Sequence, residues 1–404
     1  MMRVDHLAFI ATAMLLILAL RAAPRRVGRW IHGAVSVAIL AIALGSGASI
    51  LATALFVYVP FLAVRHRRSL PTSAFAALVG AQLFSLGLLR HYFTSVPGLG
   101  RLLPFAHPPL EVIGLSYVVL RQIEWMLWID ADDEATVDLV DYTNFTLGFF
   151  TLLAGPIARY GPFTAGFLSR DADERPADVV RALNRVVNGY ACVVLIAPFL
   201  GAFTSIDVVS SASARARDWA LFVYLYPLQL FLNFSGYCDI VIGLAKLCRI
   251  DLPENFARPF LATNLQEFWQ RWHMTFSSWM RDFVFYPSLR ALRRGPLRGS
   301  ARSATALSAL LSFLLVGLWH GPRLGFVLFG LLHGAAVLLV HPYSALLERL
   351  LGSDGLERYQ RSPTLRLVRV GACYSYVAIT CVCFDRTGAD LVGLWHHFAR
   401  ATAR

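Results

Sequence analysis

Residues 31–64 read IHGAVSVAILAIALGSGASILATALFVYVPFLAV, a run of 34 positions without a lysine, arginine or acidic residue. Arg21, Arg25, Arg26 and Arg29 precede it, and Arg65, Arg67 and Arg68 follow it. As one helix it would be about 51 Å long at 1.5 Å per residue, and a bilayer core is only about 30 Å thick. Two passes turning near Gly45, Ser46 and Gly47 fit instead, and they put both arginine clusters on one face, as the positive-inside rule requires. The N-terminus then lies outside.

The rest of the chain agrees. Of 404 residues, 57% are hydrophobic and 15% charged, where a soluble chain carries roughly 25% charged residues. A soluble enzyme, a disordered scaffold and a disulfide-framed secreted domain are thereby excluded. Further spans are predicted at Leu7 to Leu20, Thr72 to Leu89, Pro109 to Ile129, Phe145 to Ile157, Val186 to Ala202, Trp219 to Leu247, Thr305 to Trp319, Leu324 to Val340 and Leu367 to Phe384. Leu7 to Leu20 reads as a first membrane helix rather than a signal peptide, because Arg21 sits where a cleavage site would be. The expected fold is an all-α integral membrane protein of about ten or eleven segments, multi-pass in the cell (inner) membrane. Gly155–Pro156 and Gly321–Pro322 interrupt two of the runs, and broken backbone at membrane depth needs protein or water to satisfy it. A bundle around an interior funnel or tunnel follows.

The formal charge is +12. It is carried almost wholly by arginine, with a third cluster at Arg290, Arg293, Arg294, Arg298 and Arg302. The clusters flank apolar runs without interleaved aromatics, so they indicate membrane lipid headgroups and not nucleic acid. Cys192, Cys238, Cys248, Cys373, Cys381 and Cys383 are never spaced as Cys-x-x-Cys and read as small core residues.

Chemistry concentrates in NLQEFWQRWHMTFSSWMRDFVFY, Asn264 to Tyr286. Leu265, Phe268, Trp269, Trp272, Phe276, Trp279, Met280 and Phe283 recur every three or four residues, which predicts one interfacial or re-entrant helix. Asn264 and Glu267 form a capping-box pattern, and Glu267 pairs with Arg271 at i, i+4. His273 projects from the aromatic side, either as a functional group or bonded to a carbonyl. His320 ends an apolar run against a Gly-Pro stop. An ionisable group at that depth is functional by default. Climbing about 22 Å from the third arginine cluster puts it nearer the outer face. His333 is a second partner or a packed polar group, and Arg121 and Glu124, at i, i+3, are expected to neutralise each other. No His-Glu-x-x-His, Gly-x-Ser-x-Gly, P-loop or dinucleotide motif occurs, and two histidines without further ligands do not make a zinc site. No metal and no bound cofactor are expected.

FSGYCDIVIGLAK (Phe234 to Lys246), NFARPFLATNLQEFWQRWHMTFSSWMRDFVFYPSL (from Asn255) and GLWHG (Gly317 to Gly321) together resemble the membrane-bound O-acyltransferase family. FFTLLAGPIARY (Phe149 to Tyr160) and CFDRTGADLVG (Cys383 to Gly393) are similar to further family blocks. The resemblance is to the branch that modifies bacterial cell-surface polymers by D-alanylating teichoic acids or acetylating alginate. GLSYVVLRQIEW (Gly114 to Trp125) and the short C-terminal part lean toward the D-alanyl members. It implies residues 1–108 as N-terminal helices and 109–404 as the acyltransferase core of one continuous membrane domain. It further implies a thioester donor, either an acyl-carrier protein or acetyl-CoA, on the cytosolic side, a polymer hydroxyl as acceptor, and a periplasmic acyltransferase as a partner that could complete transfer. The family's essential histidine matches His320 and its second motif histidine matches His273. A neutral imidazole suits proton removal from the acceptor hydroxyl, with transfer expected to fall at a midpoint near the histidine reference of about 6.5 unless burial lowers it. Trp319, Asn255 and Arg281 are candidate oxyanion donors, and Trp272, Asp282 and His333 complete the candidate substrate-binding set. A transporter or flippase, and a scaffold without chemistry of its own, are the rivals.

Overall fold

The Gly45–Ser46 hairpin forms as its residue types dictate. Gly45 adopts φ 67, a left-handed conformation that L side chains resist, and ends the Arg25–Leu44 helix. Ser46 then caps the Gly47–Arg65 helix by accepting from Ser49 N–H at 3.2 Å. The structure, a computed structural model, describes residues 7–66, 71–89, 114–128, 138–167, 175–211 and 213–402. Of the second arginine cluster, Arg67 and Arg68 lie outside these residues, as do the ends of the span expected at Pro109 to Ile129.

Every regular element among the described residues is helical. Five helices there are long and apolar enough to cross a membrane: Arg25–Leu44, Pro176–Ser210, Ala216–Leu247, Ala301–His320 and Leu324–Arg361. Leu7–Ala22, Ser49–Arg65 and Ser73–Ser85 are shorter apolar helices. Leu7, Ile42, Leu350 and Leu367 are 71% to 85% exposed, the surface expected of a chain solvated by lipid. All six cysteines are free thiols.

The chain divides into two compact units, Met1–Ala191 with Gly236–Glu254, and Cys192–Ser235 with Asn255–Arg404. In the first, the span expected at Phe145 to Ile157 is not a helix. The Leu139–Leu147 helix stops at Gly148, and irregular chain continues to Tyr160. Its backbone groups are satisfied by side chains: Ser36 Oγ accepts from Phe149 N–H at 3.0 Å and the Tyr237 hydroxyl from Ala154 N–H at 3.2 Å. Arg121, fully buried, donates to the carbonyls of Phe145, Thr146 and Thr151. Glu124 accepts from Tyr160 N–H at 3.0 Å and pairs with Arg159 at 3.5 Å. Arg121 and Glu124 act on each other's charge as expected, but their direct hydrogen-bond and ion-pair partners lie elsewhere. Carbonyls at the helix end and in the irregular segment take the Arg121 donors, and the Tyr160 amide donates to Glu124, since unpaired backbone at membrane depth costs several kcal/mol per group.

In the second unit, Val209, Trp219, Phe222 and Leu394 form one hydrophobic cluster. The Ala301–His320 and Leu324–Arg361 helices fold back on each other through glycine. A Cβ at Gly317 would lie 2.3 Å from Phe326 O, and one at Gly330 2.3 Å from Phe313 O.

Candidate active site

All the residues of the site sit in the second unit. Asn264 caps a helix as expected, its Oδ1 accepting from Glu267 N–H at 2.9 Å. Glu267 accepts from the Thr263 amide at 2.7 Å and hydroxyl at 2.8 Å rather than from Asn264, and it pairs with Arg271. Partial burial opposes its ionisation, but the Thr263 donors and Arg271 outweigh that and hold the carboxyl below its ordinary value.

The single helix predicted over Asn264 to Tyr286 is broken. Leu265–Arg271 ends at an extended Trp272, and His273 turns left-handed at φ 44, ψ 51. Met274–Met280 then resumes, followed by a π-helical Arg281–Phe285 and the basic Tyr286–Arg294 helix. A second backbone segment produces the break. Asn255 O accepts from Met274 N–H at 2.9 Å, and Ala257 N–H donates to Arg271 O at 2.9 Å. These bonds flank His273 and replace helical ones. A left-handed non-glycine residue costs about 1–2 kcal/mol, offset here by bonds on both sides.

His273 is 4% exposed. Its Nδ1 lies 3.1 Å from Asn255 Oδ1, and its ring meets Phe234 edge-on at 4.8 Å, Phe276 at 5.1 Å and Trp319 at 6.4 Å. Its Nε2 is buried and makes no hydrogen bond. Trp319 stacks toward Phe276 at 4.6 Å and touches His320 at 4.9 Å, so one train of rings carries both imidazoles.

His320 is the last residue of Ala301–His320 and is half-buried. Phe326 stacks on its ring at 5.5 Å and Phe384 meets it edge-on at 4.9 Å. The chain segments bearing those phenylalanines are clasped together. Gly325 N–H donates to Arg386 O at 2.9 Å, and Arg323 donates to Asp385 O at 3.1 Å and to its carboxylate at 2.7 Å.

His333, fully buried, is engaged at both nitrogens. Trp269 Nε1–H donates to Nδ1 at 3.1 Å, which fixes the proton on Nε2, and Nε2–H donates to Thr380 Oγ1 at 2.8 Å. Thr380 in turn donates to Tyr376 O at 2.8 Å. Trp272 stacks on Phe268 at 5.6 Å and meets Phe256 edge-on at 5.2 Å. Arg281 is exposed and pairs with Asp282 at 3.0 Å on the π-helical turn. The structure thus joins His273, Asn255, Trp319 and His320, and links His333 to them only through packing. Asn255 Oδ1 acts as an acceptor, while the oxyanion-donor role expected of Asn255 would use its Nδ2. Thr275, Phe234, Phe384 and the Arg323–Asp385 clasp escaped that reading. Phe384 and Asp385 belong to the Cys383 to Gly393 block, which is the signal that could have found them.

The membrane-bound O-acyltransferase family matches residues 127–350. Over 234 residues the chain is 27% identical to the teichoic acid D-alanyltransferase of Bacillus subtilis (strain 168), covering 56% of this chain and 59% of that protein. Over 257 residues it is 30% identical to a probable alginate O-acetylase of Pseudomonas syringae pv. tomato, covering 63% of this chain and 45% of that protein. Over 208 residues it is 30% identical to the peptidoglycan O-acetyltransferase of Helicobacter pylori, covering 51% and 38%. The chain spans less than two thirds of the length of each of these relatives. The family match takes in both histidine blocks and more than half of the chain, so this protein belongs to the membrane-bound O-acyltransferase family.

Proposed function

We propose that the protein transfers an acyl group, D-alanyl or acetyl, from a cytosolic thioester to a hydroxyl of a cell-envelope polymer, directly or by way of a periplasmic transferase. The donor would be an acyl-carrier protein or acetyl-CoA. His320 serves as general base. Its imidazole takes the proton as the hydroxyl oxygen bonds to the thioester carbonyl carbon. The tetrahedral intermediate then expels the thiolate, which takes up that proton, so an ester and a thiol are the products.

One observation carries the assignment to His320. Of the three site histidines it alone combines incomplete burial with a ring braced on two faces, by Phe326 and Phe384. His333 has no nitrogen to offer, and His273 offers one, deeper in the protein. The names of the relatives, which print teichoic acid, alginate and peptidoglycan, support a polymer acceptor.

The test is full-length protein reconstituted in lipid vesicles. It is given radiolabelled acetyl-CoA or D-alanyl-charged carrier protein, with lipoteichoic acid, alginate or peptidoglycan fragments as acceptors. Thiol release and base-labile label on the acceptor are measured together. His320→Ala should lower both by about 10²- to 10⁴-fold, the usual contribution of a general base. Undiminished transfer by His320→Ala at equal protein content would overturn the assignment. Label crossing the vesicle without thiol release would establish a transporter.

A further inference from the structure

The environment of His273 fixes more than its position. Asn255 is 1% exposed, and its Oδ1 is the target of three groups: His273 Nδ1 at 3.1 Å, Thr275 N–H at 3.3 Å and the Thr275 hydroxyl at 2.8 Å. A backbone N–H can only donate, so the amide atom facing Thr275 must be the oxygen, and the amide cannot be flipped. An amide oxygen can only accept. The proton between Asn255 and His273 therefore belongs to Nδ1, and Nε2 of the neutral ring is a bare lone pair. That nitrogen is buried and makes no hydrogen bond.

We propose that Asn255 is a positioning residue: anchored by Thr275, it holds His273 as the Nδ1–H tautomer, so that Nε2 stands on the proton-accepting side of acyl transfer. The proposal rests on the acyl-transfer reading above. In this tautomer Nε2 cannot donate to the thioester carbonyl or to the oxyanion that forms from it. It accepts a hydrogen bond from the incoming alcohol's side of the reaction, next to the ring train that leads to His320. The groups facing the ring, Phe234, Asn255, Phe276 and Trp319, are all uncharged. A charge introduced at position 255 therefore acts on Nε2 without competition from these neighbours.

The test compares Asn255→Ala, Asn255→Asp and Thr275→Val in the vesicle assay, over a pH series and with kcat and KM separated. Asn255→Ala frees the tautomer and should cut kcat by about 10- to 100-fold with KM little changed, taking as the scale the loss when the orienting partner of a metal-bound histidine is removed. Asn255→Asp keeps the acceptor and should restore most of the plateau rate. Its carboxylate favours the imidazolium, so the acid limb of kcat should move up by about 1–3 pH units. Thr275→Val removes the hydroxyl anchor and should fall between wild type and Asn255→Ala. Should Asn255→Ala fail to accumulate, the isosteric Asn255→Asp carries the test alone.

Wild-type kcat in Asn255→Ala would overturn the proposal. So would an Asn255→Asp enzyme with an unmoved acid limb. Those results leave His320→Ala inactive and so spare the acyl-transfer reading. An active His320→Ala variant would instead remove that reading.

Discussion

Gly325 is where a single methyl group should disconnect the site without touching a histidine. A Cβ built there would lie 1.9 Å from Cys383 O, 2.7 Å from Arg386 O and 2.9 Å from Arg386 N. All three are backbone atoms, so no side chain can swing aside. Relief requires the 383–386 turn to retreat until the first contact reaches about 3.4 Å, where van der Waals contact is ordinary, a movement of roughly 1.5 Å. That distance exceeds what the Gly325 N–H bond to Arg386 O, now 2.9 Å, can stretch. The Arg323–Asp385 clasp and the edge-on Phe384 ring move with the turn, so His320 loses its Phe384 contact.

A displacement near 1 Å in a reacting geometry costs about 10²-fold, so Gly325→Ala should lower acyl transfer by about that factor. The chain should still insert and accumulate, because the spans flanking the turn are unchanged. Gly371→Ala is the control. It lies in the Pro363–Cys381 helix with nothing within 4 Å of the added methyl, and it should be silent in the assay and neutral to about 1 kcal/mol stabilising. The readouts are transfer rate per mole of folded protein and thermal unfolding in detergent. Full activity in Gly325→Ala would refute the idea that the clasp holds His320 in place.

His333→Ala leaves Trp269 Nε1–H and Thr380 without their shared partner, and should lower unfolding stability by about 2–5 kcal/mol, read as a lower melting temperature. Activity of the surviving folded fraction should stay within a few-fold of wild type, and a much larger loss per folded molecule would give His333 a role in the chemistry. Arg121→Met strips the donor from three buried carbonyls and should cost about 3 kcal/mol or more, seen as sharply reduced accumulation in membranes. Glu267 adds a pH signature. Its carboxyl is held below the unfolded value of 4.5, so its stabilisation is complete above that pH and is lost as pH falls through the folded value. Glu267→Gln should therefore flatten the acid side of the stability profile, and an unchanged slope would contradict the Thr263 and Arg271 assignment.

What the sequence made legible divides along physical lines. Hydropathy and glycine placed the Gly45–Ser46 hairpin to the residue, because a span that is too long for a bilayer and a left-handed turn are both local requirements. The four-residue Glu267–Arg271 pair and the Asn264 cap are equally local, and both are present. The break at His273 is not local. Aromatic spacing from Leu265 to Phe283 is satisfied on either side of it, so a periodicity argument sees one helix. The decisive partner, Asn255, lies outside the pattern altogether. The Phe145 to Ile157 error has the same origin, since composition there is apolar and only the distant Ser36, Arg121, Glu124 and Tyr237 make irregular backbone affordable.

That division has a consequence for how the two imidazoles can differ. A histidine at the end of a regular helix, such as His320, is placed by where the helix stops, and its ring needs outside braces to gain a fixed orientation. Phe326 and Phe384 supply them through ring contacts at 5.5 and 4.9 Å. A histidine at a helix break, such as His273, has a backbone pinned on both sides and a ring nitrogen bonded to an amide oxygen, so its tautomer is set before any substrate arrives. The orientation of one ring thus depends on where a helix ends, and the tautomer of the other is set by a neighbouring amide. In the proposed reaction His320 would carry the proton from the alcohol to the thiolate. His273, held as an acceptor, would keep the alcohol aligned through the same step.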